Sequence, residues 1–387
     1  MLSLSRRELL RTASLAPLTQ LAAGRVLADE PAKSPSHGMI VRQHQPQNLE
    51  MPFDSLDGPT VANERFYVRS HFAVPQIDPA KYRLVVEGHV ENRLELTLDE
   101  VKKLQSITSP LLLECAGNDR GFLIPAVRGV QWTHGAVGAA EWTGVPLAAI
   151  LERAKPKTGA VEVVLAGADK GAIAADPATP GPIHFSRSLP LEKAKKPEVL
   201  LAWGMNGQDL PAAHGSPLRG VVGGWYGMAS VKWLNRIVVT DRPYRGYFQT
   251  MDYSYFVRRI GEEPEAVPVT VIQPKASIAR PGFDEVVPAG KPYTVFGAAW
   301  AGESQVAKVE VSTDGGKAWH PAKLDADAKP FSWVTWRYEW AVPPAPGPAK
   351  LLARCTDGKG ATQPEKRDVD RRTYMINHLV PVPVLVR

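Results

Sequence analysis

Cysteine is nearly absent from this chain: 387 residues contain two, Cys115 and Cys355. Two cysteines rule out a disulfide framework. There is no Cys-x-x-Cys-His, so no attached c-type haem, and neither a Cys-x-x-Cys pair nor a His-Glu-x-x-His for zinc. Gly-x-Ser-x-Gly, a phosphate-binding loop and Gly-x-Gly-x-x-Gly are also missing, which removes the ordinary hydrolase and nucleotide signatures. No apolar run reaches about 18 residues, so the chain has no ordinary transmembrane helix. Charge is nearly balanced, with 46 Lys and Arg against 40 Asp and Glu. Half of the resulting +6 lies in residues 1–28, where Arg6, Arg7, Arg11 and Arg25 face Glu8. The mild basicity that remains gives no reason to expect nucleic acid.

What the chain has in quantity is turn chemistry. There are 35 prolines and 32 glycines, which favour short elements and irregular loops. Hydrophobic residues make up 44%, enough for substantial cores, and the length suggests two or three domains. Residues 1–28 read as a leader. Ser5-Arg6-Arg7-Glu8-Leu9-Leu10 is a twin-arginine signature, a modestly apolar stretch follows, and Val26-Leu27-Ala28 is a small-residue cleavage site. That export route carries folded proteins, often with a cofactor already inserted. An exported protein meets conditions in which Cys115 and Cys355 can pair.

The stretch Leu111-Leu112-Leu113-Glu114-Cys115-Ala116-Gly117-Asn118-Asp119-Arg120 organises the rest. An apolar run ends in a cysteine, turn residues follow, and an arginine closes it. Three readings stand open for Cys115: ligand or nucleophile, disulfide partner, and ordinary core. Upstream, Asp29 to about Glu64 reads as an extended arm. Phe66-Tyr67-Val68-Arg69-Ser70-His71 reads as a short strand that turns Arg69 and His71 to one face. Tyr82–Val90 reads as a strand, Thr97–Glu100 as a capping box before a short helix, and Leu147 to Ala154 as a helix behind Pro146. Strands are expected at Val161–Ala166 and Val199–Trp203, the latter followed by an Asn206-Gly207 hairpin turn. The segment from Gly171 to Pro197 reads as loop-rich. In the glycine-rich passage Val221–Gly227 the backbone can approach another group closely.

Composition shifts near Glu262–Val267. Tyr293–Trp300, Val306–Ser312, Trp333–Trp340 and Ala349–Cys355 read as strands, with a hairpin turn at Thr313–Lys317. Strands at this spacing predict an immunoglobulin-type sandwich. Cys355 falls in one of them and reads as a buried small hydrophobe.

From about Phe66 to the C-terminus these motifs together resemble the sulfite oxidase family of molybdenum enzymes. Cys115-Ala116-Gly117-Asn118 looks like the family's metal-ligating motif. The 66–71 segment, His214-Gly215-Ser216-Pro217-Leu218-Arg219 and Val231-Lys232-Trp233-Leu234 are similar, in order and separation, to its cofactor contacts. The resemblance implies an α+β molybdopterin-binding fold over 29–264 and an immunoglobulin-like dimerisation domain over 265–387. It implies a Mo-molybdopterin cofactor with Cys115 as the single protein ligand. Tyr67, Val68, Arg69, Ser70, His71, Asp169, His214, Arg219, Ser230, Val231 and Lys232 would hold the pterin and its phosphate. Arg69, Arg120 and Arg372 would converge on a small oxyanion, with Trp132 lining the wall and Tyr253 donating a hydrogen bond near the metal. The implied activity is periplasmic oxidation of sulfite to sulfate by a homodimer. With no haem-binding domain beside the core, electrons would pass to an external acceptor, a c-type cytochrome.

Besides the lack of a haem-binding domain, a second feature departs from the family. Where many members carry paired arginines, Asp119 precedes Arg120, and it reads as a solvated loop carboxylate. A sulfane dehydrogenase subunit of a thiosulfate-oxidising complex shares the same motif and architecture. A sulfoxide-reducing member is disfavoured by the sandwich. A cofactor-free exported binding module, its cysteines paired, is the alternative of another class.

Overall fold

The computed structural model describes residues 38–387. The twin-arginine segment and its cleavage site lie outside the described residues, as do the first residues of the arm.

What is described of the arm is not peripheral. Ile40–Gln43 and Asn48–Glu50 pair with Val68–Arg69 in a three-stranded sheet. Asn48 and Glu50 are fully buried, and Met51, Phe53, Leu56 and Val61 enter the main core. Strands this short have too few residues to show alternation, so sequence periodicity missed them. The buried Glu50 carboxylate is compensated by Arg42, the Thr133 hydroxyl and the Gly135 N–H.

Two five-stranded sheets form the body of the first domain. One runs Gln208–Asp209, Val199–Met205, Val137–Pro146, Ile107–Glu114, with Arg219–Val222 also paired to Val199–Met205. The other runs Leu94–Leu96, Leu84–Gly88, Leu234–Thr240, Glu162–Gly171, Ile183–Pro190. Leu84–Gly88 and Leu234–Thr240 pair in parallel, and the other neighbours antiparallel. The expected capping box is complete: the Thr97 hydroxyl accepts from Glu100 N at 3.2 Å, and the Glu100 carboxylate from Thr97 N at 2.8 Å. The helix Leu147–Ala154 buries Leu147, Ile150, Leu151 and Ala154, one face of a 3.6-residue period. Asn206 and Gly207, both at positive φ, close the expected hairpin.

One segment differs from the sequence reading, and another carries no element signal in the sequence. The stretch read as loop-rich contains the strand Ile183–Pro190 and the short helix Leu191–Ala194. Val137–Pro146 is a strand whose Gly138, Ala139, Ala140 and Gly144 give little hydrophobic pattern. Gly144 is required there, because a Cβ would stand 2.2 Å from the Leu201 carbonyl oxygen of the paired strand.

A hairpin of Ser254–Val257 with Glu265–Pro268 straddles the expected boundary at 264/265. The sandwich itself starts at Lys275–Arg280. One sheet runs Lys275–Arg280, Pro292–Trp300, Trp333–Ala341, Lys323–Leu324; the other runs Val286–Val287, Val382–Val386, Gly347–Asp357, Val306–Ser312, His320–Pro321. All four strands read from the sequence are among them. Cys355 is fully buried in the sandwich core, and both cysteines are free thiols, so the disulfide alternative falls. The domains are joined by backbone as well as side chains. Leu112 N–H, on the edge strand that leads to Cys115, donates to Phe331 O at 2.8 Å, and Met375 N–H to Ala116 O at 2.8 Å. The first of these bonds covers a strand edge that would otherwise be open.

Candidate active site

The strand Ile107–Glu114 delivers Cys115 to the floor of a cavity. Leu111, Leu112 and Leu113 are buried on both faces of that strand and fix its depth. Cys115 N–H donates to Ala136 O at 2.9 Å, and Asn118 N–H folds back to Cys115 O at 2.9 Å. Asp119 turns the chain in the left-handed region at φ +71°, which sends Arg120 back toward the thiol's side of the loop.

Two cavities meet there and share Cys115, Arg69, His71 and Tyr253. The inner one reaches Asp169, His214, Arg219, Ser230 and Lys232. Arg219 stacks 4.9 Å over the Trp142 ring and donates to the carbonyls of Gly220, His214 and Ser230. Three of its five donors are thereby used, and two remain. Burial lowers its pKa to about 10, which leaves it charged. Lys232 donates to Ser70 Oγ at 2.8 Å and Ala213 O at 2.9 Å, with one ammonium proton left over. Burial pushes its pKa well down, and Arg219 pushes the same way. His214 is neutral: burial, Lys232 and Arg219 hold its pKa at about 3, and its Nε2 bonds Asn63 O at 3.0 Å. Arg219 and Lys232 crowd each other, and only Asp169 pulls Lys232 the other way, so the pair suits an anionic ligand.

Asp169 carries the complementary signal. Its Oδ1 is buried with no hydrogen-bond partner, and burial raises its pKa to about 7 against the pull of Lys232. An acceptor of this kind fits an amine or amide donor of a ligand. The residues present therefore fit a molybdenum–pterin group. Arg219, Lys232 and His214 would take the phosphate end, Asp169 a pterin amine, and the soft Cys115 sulfur the metal.

The outer cavity is ringed by arginines: Arg69, Arg120 and Arg372, as expected, and also Arg128. Arg69 donates to Asn48 Oδ1 and Ser70 O; burial opposes its charge, but Tyr253 and Cys115 raise its pKa. Arg120 lies between Gly117 and Gly129, where a Cβ would stand 2.2 and 2.7 Å from its guanidinium. It donates to Thr373 Oγ1 at 2.6 Å, Thr373 O and Val130 O, and its Cζ sits 5.5 Å from the centre of the Tyr374 ring. Arg372 follows a short turn at φ +56° and donates to Ser254 Oγ at 2.9 Å. Tyr253, at φ +24°, shares a 2.7 Å hydrogen bond with His71 Nε2. Burial, with Arg69 and Lys232 behind it, keeps His71 uncharged.

Some expected residues stand elsewhere. Trp132 is fully enclosed and lines neither cavity, so it does not form the wall; its indole N–H has no partner. Val68 pairs with Leu49 and packs in the core, and Val231 is fully buried, its N–H and C=O taken by Ala229 O and Gly220 N. Phe66, Tyr67, Arg69, Ser70 and His71 line the inner cavity and Val68 alone of that segment does not; Ser230 and Lys232 line it and Val231 between them does not. Asp119 corrects the sequence reading most sharply. It is 1% exposed, bonded to His134 Nδ1 and Lys275 Nζ at 2.8 Å each. Burial opposes its charge, yet Lys275 and His134 hold its pKa at about 2.

Residues not foreseen include Asn48, whose Oδ1 accepts from Ser70 N at 3.0 Å, and Phe185, stacked 4.4 Å from the His71 ring. Neither has a local sequence signal, since both lie in segments that read as irregular. Gly227 did have one, in the glycine-rich passage. A Cβ there would stand 2.6 Å from the Tyr67 hydroxyl.

Comparison with known proteins follows the same division. Residues 71–248 match the oxidoreductase molybdopterin-binding domain and residues 267–384 the Mo-co oxidoreductase dimerisation domain. The chain is 33% identical to human mitochondrial sulfite oxidase over 355 residues, 87% of this chain and 63% of that protein. It is 33% identical to chicken sulfite oxidase over 362 residues, 87% of this chain and 75% of that one. It thus spans 63% of the length of its human, macaque and mouse relatives. The NADPH nitrate reductase of Aspergillus niger is 31% identical, over 82% of this chain and 41% of that protein. Among solved structures, the sulfane dehydrogenase SoxCD of Paracoccus pantotrophus superposes with a TM-score of 0.75 at 25% identity, covering 92% of this chain and 86% of that one. The chain belongs to the sulfite oxidase family of oxidoreductases, and its cofactor is Mo-molybdopterin.

Proposed function

We propose that the protein oxidises sulfite to sulfate and passes the electrons to an external acceptor such as a c-type cytochrome. The observation that carries this reading is the ring of Arg69, Arg120 and Arg372 in one cavity with Cys115. Guanidinium forks suit a small, doubly charged oxyanion. When bound, the cofactor supplies the two-electron couple and the oxygen transfer to sulfur. Sulfite and water give sulfate, two protons and two electrons. The chain's own share is to attract the anion, hold its oxygens and orient them over Cys115. The Tyr253 hydroxyl, fixed by His71, contributes a hydrogen bond at the junction of the two cavities. The twin-arginine leader supports export to the periplasm with the cofactor already inserted. The match to a dimerisation domain supports a homodimer formed through the sandwich.

A second reading, sulfane oxidation as a dehydrogenase subunit, is supported by the likeness to SoxCD. Steady-state assay of molybdenum-loaded protein with ferricyanide or cytochrome c separates the two. Sulfite-dependent reduction supports the proposal. Loaded protein that ignores sulfite and reduces the acceptor only with a sulfane-sulfur substrate overturns it.

A further inference from the structure

Glu114 and Asp119 bracket Cys115, and both are 1% exposed. Two carboxylates cannot be buried so close together without compensation. The compensation comes from the other domain. Lys275, the first residue of the sandwich, is also 1% exposed. Its ammonium lies 3.0 Å from Glu114 Oε1 and 2.8 Å from Asp119 Oδ2, and donates to Ile376 O at 2.9 Å. All three ammonium protons are therefore committed. The remaining acceptors are filled as well: Trp300 Nε1–H donates to Glu114 Oε2 at 2.9 Å, Asn118 Nδ2–H to Glu114 Oε1 at 3.2 Å, and His134 meets Asp119 Oδ1. Asn118 closes the frame, since its Oδ1 accepts from Ala136 N at 3.0 Å while Ala136 O accepts from Cys115 N.

One ammonium from the sandwich thus ties together both ends of the six-residue loop that carries Cys115. We propose that Lys275 is a positioning residue for the metal-ligating sulfur, so that the dimerisation domain helps to set the geometry of the molybdenum site. This rests on the reading that Cys115 is the ligand. Lys275 touches neither substrate nor cofactor cavity. Its effect passes through the Glu114 and Asp119 carboxylates to the backbone on either side of the sulfur.

The test uses full-length protein. Lys275→Met leaves two buried carboxylates facing each other, and the protein can fail to fold. The triple variant Lys275→Met, Glu114→Gln, Asp119→Asn keeps the volumes and removes every charge. For folded, molybdenum-loaded variant, kcat per bound metal should fall roughly ten- to hundred-fold, as expected for a misplaced reacting group. The KM for sulfite should stay within about three-fold, because the Arg120 guanidinium keeps its own bonds to Thr373 and Val130. The Mo(V) electron paramagnetic resonance g-values of partly reduced protein should shift, and amides 115–120 of the cofactor-free protein should exchange faster. Cys115→Ser is run beside it. If Cys115→Ser leaves the g-values unchanged, the ligand reading fails. If Cys115→Ser moves them but the triple variant keeps wild-type g-values and kcat per metal, only the positioning role is overturned.

Discussion

Arg120 illustrates how a single residue can serve two purposes. Its guanidinium binds the Thr373 turn of the sandwich and the Val130 carbonyl, yet keeps two donors for the outer cavity. Charge-assisted hydrogen bonds contribute about 1.5–3 kcal/mol each, so Arg120→Gln should raise the KM for sulfite roughly ten- to hundred-fold. An unchanged KM in steady-state kinetics removes Arg120 from the anion site. His214 gives a prediction in pH. Its folded pKa of about 3 lies below the ordinary 6.5, because burial, Lys232 and Arg219 disfavour the charged ring. A depressed histidine pKa means the unfolded chain binds the extra proton. Its contribution is therefore fully present above pH 6.5 and is lost as pH falls toward 3. In cofactor-free protein, urea midpoints should imply a loss of roughly 2 kcal/mol at pH 5 from this site, and His214→Asn should flatten that slope. A midpoint independent of pH between 7 and 5 contradicts the assignment.

At the scale of elements, the short sheet of Ile40–Gln43, Asn48–Glu50 and Val68–Arg69 aims the Arg69–His71 segment. Asn48 does this with one oxygen that accepts from both Ser70 N and Arg69. Asn48→Ala leaves a buried N–H unpaired and should cost about 1–3 kcal/mol. Calorimetry should show a lower Tm, and cofactor retention should fall with it; wild-type values for both would make the sheet irrelevant to the site. The sequence displays its elements unevenly. The Thr97–Glu100 box, the 147–154 helix, the Asn206-Gly207 turn and the long sandwich strands declare themselves, because capping, 3.6 periodicity and turn chemistry are local. The Asn48–Glu50 and Ile183–Pro190 strands do not: one is too short for a period, the other sits among loop-forming neighbours. The same holds within the site. Cys115, Arg69, Arg219 and Lys232 were legible through motifs. The burial of Asp119 has no local signal, because its partners His134 and Lys275 are distant in sequence and a solvated and a buried aspartate look alike in a turn. Trp132 and Val231 lie in site-bearing segments, but their side chains are buried away from both cavities.

For the molecule as a whole, the buried contacts between domains argue against two independently stable units. Beside the Lys275 tie, Lys193 of the first domain is held by its own Glu198 and by Glu303 of the sandwich at 2.7 Å each, and Trp225 Nε1–H also donates to Glu303. Glu303→Gln should lower Tm by about 1–3 °C while the unfolding transition stays single. Two resolved transitions in scanning calorimetry of the wild-type protein would show that the domains melt apart. At this scale too, the polar network at the junction was invisible in sequence, since each partner alone reads as an ordinary charged surface residue.

Every role assigned above follows from Cys115 as the molybdenum ligand, and X-ray absorption at the molybdenum edge measures that ligation directly. Wild-type protein and Cys115→Ser, both loaded with cofactor, should differ by one sulfur in the first coordination shell. An identical sulfur shell in the two proteins would contradict it.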